Sequence, residues 1–459
     1  MKANRFFVLH FSVFAVSNAA LKSFDLFGEQ RMNNLTTFLS SFKCLAFIML
    51  ENSIVMFAFS LNSQAIQKPT LQGAGKNLSL LKQPVLSVVN DHLIAYPTPA
   101  NLNYFWGFGS LAGISLVIQI ATGVFLACHY TPEVNLAFSS VEHIMRDVNG
   151  GFLLRYMHAN GASMFFMVVM AHMLRSLYYG SYYAPREAVW CIGVVILLLM
   201  IATAFMGYSL PFGQQSLWGI SVITSLFSVV PVVGTELVQW LWGGFSVNNA
   251  TLNRFFSLHY LLPFLIAGAS IVHIAALHHK GSNNPLGINA AADKISFYPY
   301  LVAKDAVGLV IFLIIFSALV FFAPNLLAHP DNNIPANSLV TPLSIVPEWY
   351  FLIVYCILRS IPNKTGGVLA IAMVFVALLA VPFLATSPIR SSNFRPLHRK
   401  AFYLFVSACF VLSWAGSKPV EQPYILIGQC ATGYFFLYFF ILVPLLGRLE
   451  YHLLTRKLA

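Results

Sequence analysis

The chain has 459 residues, of which 58% are hydrophobic and only 9% charged, with a net charge of +11 and a mean hydropathy of +0.74. Soluble domains carry about 25% charged residues, so this composition excludes an ordinary soluble globule and assigns the bulk of the chain to lipid. The basic excess forms no patch and so does not point to nucleic acid, and the cysteines (Cys44, Cys128, Cys191, Cys356, Cys409, Cys430) form no C-x-x-C or C-x-x-C-H motif.

In chain order, residues 1–78 come first. They open with MKANRFFVLHFSVFAVSNAALKS, which has the basic start and apolar middle of a signal peptide. A second apolar run, CLAFIMLENSIVMFAFS, is a marginal span because it contains Glu51. The stretch reads as an extension without a role in the chemistry, or as an artefact of where the reading frame was begun. From residue 107 onward the apolar runs become long and regular. Eight transmembrane helices are expected, near 107–129, 156–177, 189–209, 256–277, 305–323, 366–385, 401–416 and 425–446, each approaching the roughly 20 residues a bilayer demands. The fold class is therefore all-α and polytopic. The semi-apolar 210–253 connection suits short helices lying at the membrane surface. The proline-rich 324–365 connection cannot be one straight helix.

Basic residues orient the bundle. Arg175, Arg186, Lys280, Lys294, Lys304, Arg390, Arg395, Arg399, Lys400, Arg448, Arg456 and Lys457 fall in connections on the side where the first span begins. Fewer fall on the other side: Arg146, Arg155, Arg254, Arg359, Lys364 and Lys418. The first side is therefore the cytoplasm-like or matrix side, called N, and the opposite side P.

Two spans carry unexpected imidazoles. His158 and His172 are fourteen residues apart, and so are His259 and His273. Fourteen residues at about 100° each bring the members of a pair within about 40° of one face, about 21 Å apart along the axis. Both helices start on side P, so His158 lies level with His259 and His172 level with His273. Two facing imidazoles at each of two depths suit two six-coordinate haem irons, whereas zinc would want three or four ligands at one level. The bland alternative for any one of them is a hydrogen-bonded helix residue or a pore lining.

Glycines follow the same period: Gly109 and Gly123 in the first span, Gly193 and Gly207 in the third. A flat macrocycle can lie close to a helix only where no side chain projects. Gly109 and Gly193 are expected beside the His172–His273 level, Gly123 and Gly207 beside the His158–His259 level. Small-residue helix packing is the alternative. Arg155 and Arg175 flank the second span and suit carboxylates such as haem propionates, or simple interfacial snorkelling.

At this point the wording itself becomes informative. RYMHANGASMFF, GGFSVNNATLNRFFSLHYLLPF, HHKGSNNPLG and PEWYFLIVYCILRSIPNK resemble cytochrome b of the respiratory cytochrome bc1 complex, most closely the mitochondrial forms of plants and algae. The likeness runs from about residue 79 to the C-terminus and divides the chain into 1–78, an N-terminal domain 79–290 with a four-helix di-haem bundle, and a C-terminal domain 291–459 with the quinol-oxidation loop. It implies a low-potential b haem on His158 and His259 and a high-potential one on His172 and His273. It also implies ubiquinol oxidation near side P, with Glu348 taking a proton, Tyr350 and Tyr208 nearby, and Phe205, Gly219 and Pro347 shaping the pocket. Quinone reduction near side N would use His278, Lys304 and Asp305, with Ser110 lining the site and His279 facing solvent. The implied setting is the mitochondrial inner membrane, in a homodimeric complex III with a Rieske iron–sulfur protein, cytochrome c1 and other subunits. Phe212, Gln215, Ser176, Ser296 and Tyr298 stand where the family commonly differs or varies, and the first two are expected to border the oxidation pocket. A cytochrome b6f-type subunit is an alternative, opposed by the unsplit chain and by His278. A membrane transporter and a structural subunit with degenerate haem sites are others. Broken spans or mid-membrane charges would favour a transporter, and the intact ligand pairs argue against the degenerate subunit.

Overall fold

The computed structural model describes residues 83–458; the expectations for residues 1–78 lie outside them. The described chain is helical apart from one short two-stranded ladder, β1 (Pro97–Pro99) antiparallel to β2 (Lys294–Ser296). A short helix α1 (Pro84–Val89) precedes the ladder. The remaining helices are α2 (Phe108–Ala127), α3 (Ala137–Arg146), α4 (Gly151–Tyr179), α5 (Glu187–Ser209), α6 (Gln214–Ser225), α7 (Gly234–Trp242) and α8 (Asn249–Lys280). They continue with α9 (Val302–Phe322), α10 (Leu352–Ser360), α11 (Lys364–Leu384), α12 (Pro396–Gly416), α13 (Tyr424–Leu437) and α14 (Val443–Leu458).

Seven helical stretches among the described residues are long and apolar enough to cross a membrane: Tyr104–Ala127, Gly151–Tyr179, Glu187–Ser209, Asn249–Lys280, Phe297–Phe322, Lys364–Leu384 and Tyr424–Thr455. The remaining expected span, 401–416, falls within α12. That helix has the length, but it opens with PLHRK, and its basic first turn keeps it from qualifying on apolarity. The 210–253 connection holds the two short helices α6 and α7. The 324–365 connection breaks into tight 3₁₀ turns before α10, as its prolines require.

Local sequence signals set the helix ends. Asn248 caps α8 by accepting from the Ala250 amide, and Thr251 returns a bond to the Asn248 amide. Helix α4 ends at Gly180, whose φ of 65° and close approach to the Arg390 backbone leave no room for a side chain. Within α8, Pro263 lacks the N–H that would bond the His259 carbonyl one turn earlier, freeing the backbone at that histidine.

Helix α2 packs along α4, and α5 along α8; these are the two most extensive helix pairs. A second layer forms from α10, α12 and α13. A continuous apolar core joins Phe166, Trp190 and Val194 to Tyr350, Phe405 and Phe439. Long outward stripes remain exposed, such as Leu261, Leu265, Ile271 and Val272 on α8, as a lipid-facing surface requires.

Candidate functional site

The four histidines form two facing pairs. His158 on α4 and His259 on α8 have ring centres 6.2 Å apart, and His172 and His273 have theirs 6.5 Å apart. One metal ion bound by two opposed imidazoles would place the ring centres about 6.3 Å apart, from two metal–nitrogen bonds of about 2 Å and two ring radii. Both separations fit that group.

The Nδ1 edges face outward. Thr122 Oγ1 lies 2.9 Å from His158 Nδ1, the Thr203 carbonyl 2.8 Å from His259 Nδ1, and Arg175 Nη2 3.2 Å from His172 Nδ1. His273 Nδ1 is buried without a hydrogen-bond partner among the described residues. At His158 and His259 these oxygen partners can accept from Nδ1–H, which fixes ring orientation and leaves Nε2 to serve as the ligand; Arg175 can only donate and does not orient His172 in that way. Among the described residues no group of three or more His, Cys, Asp or Glu side chains is gathered for a metal ion.

Each of the four periodic glycines faces one imidazole. A Cβ at Gly109 would lie 3.4 Å from His172 Cε1, at Gly193 3.3 Å from His273 Cε1, and at Gly123 3.1 Å from His158 Cε1. A Cβ at Gly207 would overlap the His259 ring outright. Ser176, where the resemblance led to glycine being expected, turns its hydroxyl onto the His172 carbonyl at 3.0 Å.

Two cavities open at one end of the bundle. One, of about 270 Å³, is lined by His158, His259, Gly123, Gly207 and Arg155, and extends to Asn325 and His329. The other, of about 190 Å³, is lined by Phe205, Gln215, Gly219 and Pro347, with Tyr355 and Phe375. Tyr208, Glu348 and Tyr350 border both, so Glu348 stands in the wall between them. Gly219 has nothing within 4 Å of where a Cβ would be, which keeps the second cavity open.

The PEWY loop is fixed onto α4. Trp349 Nε1 donates to Ser163 Oγ at 3.1 Å, and Tyr350 stacks on Phe166 at 4.2 Å with ring planes 3° apart. Burial pushes the Glu348 carboxyl up to about 7, against the opposing pull of the Tyr208 hydroxyl and the Arg155 guanidinium. The Tyr208 hydroxyl faces Glu348 but falls short of a full hydrogen bond. Burial first, and Glu348 second, push the Tyr350 hydroxyl up as well.

Phe212 does not border the second cavity, contrary to the sequence expectation. It sits at φ 51° and packs against Ala137, Leu217 and Leu252. The neighbouring backbone is tied across to the 330s: Gln214 N donates to the Ile334 carbonyl and Ala336 N to the Phe212 carbonyl, which turns the Phe212 ring away. Gln215 does line the cavity, with its Nε2 on the Val346 carbonyl.

At the opposite end, Ser110 Oγ donates to Asp305 Oδ2 at 2.5 Å. Lys304 Nζ donates to the Leu102 carbonyl at 2.5 Å and lies over the Tyr104 ring. His278 meets Tyr96, with ring centres 4.0 Å apart, and His92. Arg175 lies over Trp106. The segment before the first span, with His92 and Tyr96, supplies partners that sequence reading had passed over. Thr122 and Thr203 were also missed; their only signal was adjacency to Gly123 and a one-turn offset from Gly207.

Comparison with known proteins agrees with this layout. The family model Cytochrome b/b6/petB matches residues 93–281, and Cytochrome b(C-terminal)/b6/petD matches 335–436. Cytochrome b of Marchantia polymorpha is 69% identical over 384 residues, covering 84% of this chain and 95% of that protein. Cytochrome b of Oryza sativa subsp. japonica is 66% identical over 373 residues, covering 81% and 94%. A solved chain described as Hyperthermophilic respiratory Complex III superposes with a TM-score of 0.77 at 32% identity, covering 82% of this chain and 99% of that one. The first matched stretch carries all four histidines and all four periodic glycines and the second carries PEWY, so by sequence and by the order of its spans the chain belongs to the cytochrome b family.

Proposed function

We propose that this chain is the transmembrane electron-transfer subunit of a quinol–cytochrome c reductase-type respiratory complex, a multi-pass protein of the mitochondrial inner membrane. The observation that carries the reading in detail is the pair of imidazole separations, 6.2 and 6.5 Å, at two levels of the same two helices.

On this reading α2, α4, α5 and α8 form a four-helix di-haem bundle, and α12 crosses as an eighth span. His158 and His259 hold the P-side haem, the low-potential one, and His172 and His273 hold the N-side, high-potential one. The two b haems, when bound, supply one-electron redox chemistry across the membrane. The glycines keep the α2 and α5 faces flat beside each pair, and Arg155 and Arg175 offer guanidinium groups to propionates. The division at residue 290 is one of labour: 79–290 binds the haems and 291–459 contributes the PEWY loop.

Quinol occupies the cavity lined by Phe205, Tyr208, Gly219, Pro347 and Tyr350. Glu348 accepts one of its protons; from the shared wall the carboxyl can turn into the larger cavity, which leads past Asn325 and His329. A carboxyl poised near 7 can both take and release a proton at neutral pH. At the other end His278, Lys304, Asp305 and Ser110 bind quinone and deliver protons to it. The Rieske iron–sulfur protein and cytochrome c1 complete the electron path, in a homodimeric assembly. The structural likeness to a Complex III chain favours this over a cytochrome b6f setting.

A reduced-minus-oxidised visible spectrum of the assembled complex tests the reading. Two b-type components are expected; a single component, or none, refutes it.

A further inference from the structure

His92 lies in the segment NDHLIAYP, ahead of the first span, and has no part in the function described so far. The β1–β2 ladder pins this segment to the connection after α8, with Phe297 N donating to the Tyr96 carbonyl at 2.9 Å and Thr98 Oγ1 to the Ile295 carbonyl at 3.1 Å. The ladder thereby brings His92 to the C-terminal end of α8. There its Nδ1 lies 2.9 Å from His278 Nδ1, with ring planes 9° apart and ring centres 5.1 Å apart.

These three values describe a hydrogen bond and not a stack. Stacked rings keep their atoms about 3.5 Å or more apart, which 2.9 Å violates. An in-line N–H···N bond separates ring centres by one bond and two ring radii, about 5 Å. The two imidazoles therefore lie nearly in one plane, edge to edge, with one proton between them. Tyr96 covers a face of the His278 ring at 4.0 Å, so that ring is held both in its plane and across it.

A hydrogen bond between two Nδ1 atoms decides a tautomer, because one nitrogen must donate and the other accept. His92 is exposed and His278 half-buried, so water can satisfy the bare Nε2 of a His92 ring that keeps its proton on Nδ1. With His92 as the donor, His278 Nδ1 accepts, and the His278 proton resides on Nε2, on the far side of the ring. We propose that His92 is a positioning residue of the N-side quinone site: it holds His278 as the Nε2–H tautomer and orients that N–H for a quinone carbonyl oxygen. The inference rests on the reading of His278 as a quinone ligand.

The test uses the assembled complex with the P-side site blocked by an inhibitor. Added short-chain ubiquinol then reduces the b haems only through the N-side site, which is followed by absorbance. A single turnover of P-side quinol oxidation with the N-side site blocked, and the two-component b spectrum, serve as controls and are expected to stay unchanged in H92A, since neither passes through the site where His92 lies. H92A is expected to slow N-side reduction about tenfold through a raised apparent KM, the effect of losing one orienting hydrogen bond. H92N, whose amide nitrogen can donate from nearly the same place, is expected to stay within about twofold of the parent. Parental kinetics in H92A overturn the proposal, and so does equal impairment of H92A and H92N, which would make His92 a filler. H278A separates the two levels of inference: rapid N-side reduction in H278A sinks the quinone-ligand reading itself. Loss of reduction in H278A beside normal H92A sinks only the role of His92.

Discussion

Alanine at each of the four periodic glycines gives a graded experiment, because the same added methyl group meets the imidazoles at four different clearances. At Gly109 the new Cβ would stand 3.4 Å from His172, an ordinary contact, and Gly109→Ala is expected to be near neutral. At Gly193 and Gly123 the clearances shrink to 3.3 and 3.1 Å, so the ring must give by a few tenths of an ångström. At Gly207 the methyl overlaps His259, whose ring is held by the Thr203 carbonyl at 2.8 Å. Relief there means overpacking strain of about 1–3 kcal/mol and the loss of a hydrogen bond worth about 1 kcal/mol. An effect of that size weakens retention of the ligated group by roughly 30- to 1000-fold. The assay is b-haem content per assembled complex, from difference spectra at matched protein. Haem loss should increase from Gly109→Ala through Gly193→Ala and Gly123→Ala to Gly207→Ala, with the last depleting the P-side component selectively. Equal loss at all four positions, or full haem content in Gly207→Ala, would refute the argument that these glycines exist to clear the rings.

Three further outcomes are expected. Replacing His158 or His259 with alanine removes the P-side b component and replacing His172 or His273 removes the N-side one; a spectrum with both components after any of these changes contradicts the pairing. Glu348 is protonated below about pH 7 and can accept a proton only above it, so quinol oxidation should rise with pH through about 7, while Glu348→Gln should be slower by at least about tenfold and lose that rise. The 2.6 Å pair of Arg395 and Glu450 is 1% and 11% exposed, so Glu450→Gln should destabilise the complex by about 3–5 kcal/mol, with a clear fall in Tm. The double change Arg395→Met with Glu450→Leu should recover most of that loss; no fall in the single variant would show that the pair is not energetically buried.

Much of this molecule is legible in its sequence because lipid makes the rules strict. A backbone in hydrocarbon must satisfy its own hydrogen bonds, so long apolar runs can only be helices, although the expected 256–277 span starts earlier, at Asn249, and the expected 425–446 span runs on to Thr455. Helix α12 is the instructive exception: its basic first turn dilutes an otherwise apolar segment, and composition alone does not decide whether it crosses. Likewise the family resemblance implied a pocket position for Phe212, which the structure does not bear out. The backbone ties of Gln214 to Ile334 and of Phe212 to Ala336 turn it inward, and those ties join residues more than a hundred positions apart.

What the sequence by itself determined is periodicity: fourteen-residue spacing puts two histidines on one helix face, and two glycines on another, because helical geometry is local. Only the tertiary structure decided which imidazole of its level each glycine meets, that Glu348 stands in a wall shared by two cavities, and that a strand ahead of the first span carries His92 to His278. Each of these depends on the packing of segments distant in the chain, and no local rule of backbone geometry fixes how distant segments meet.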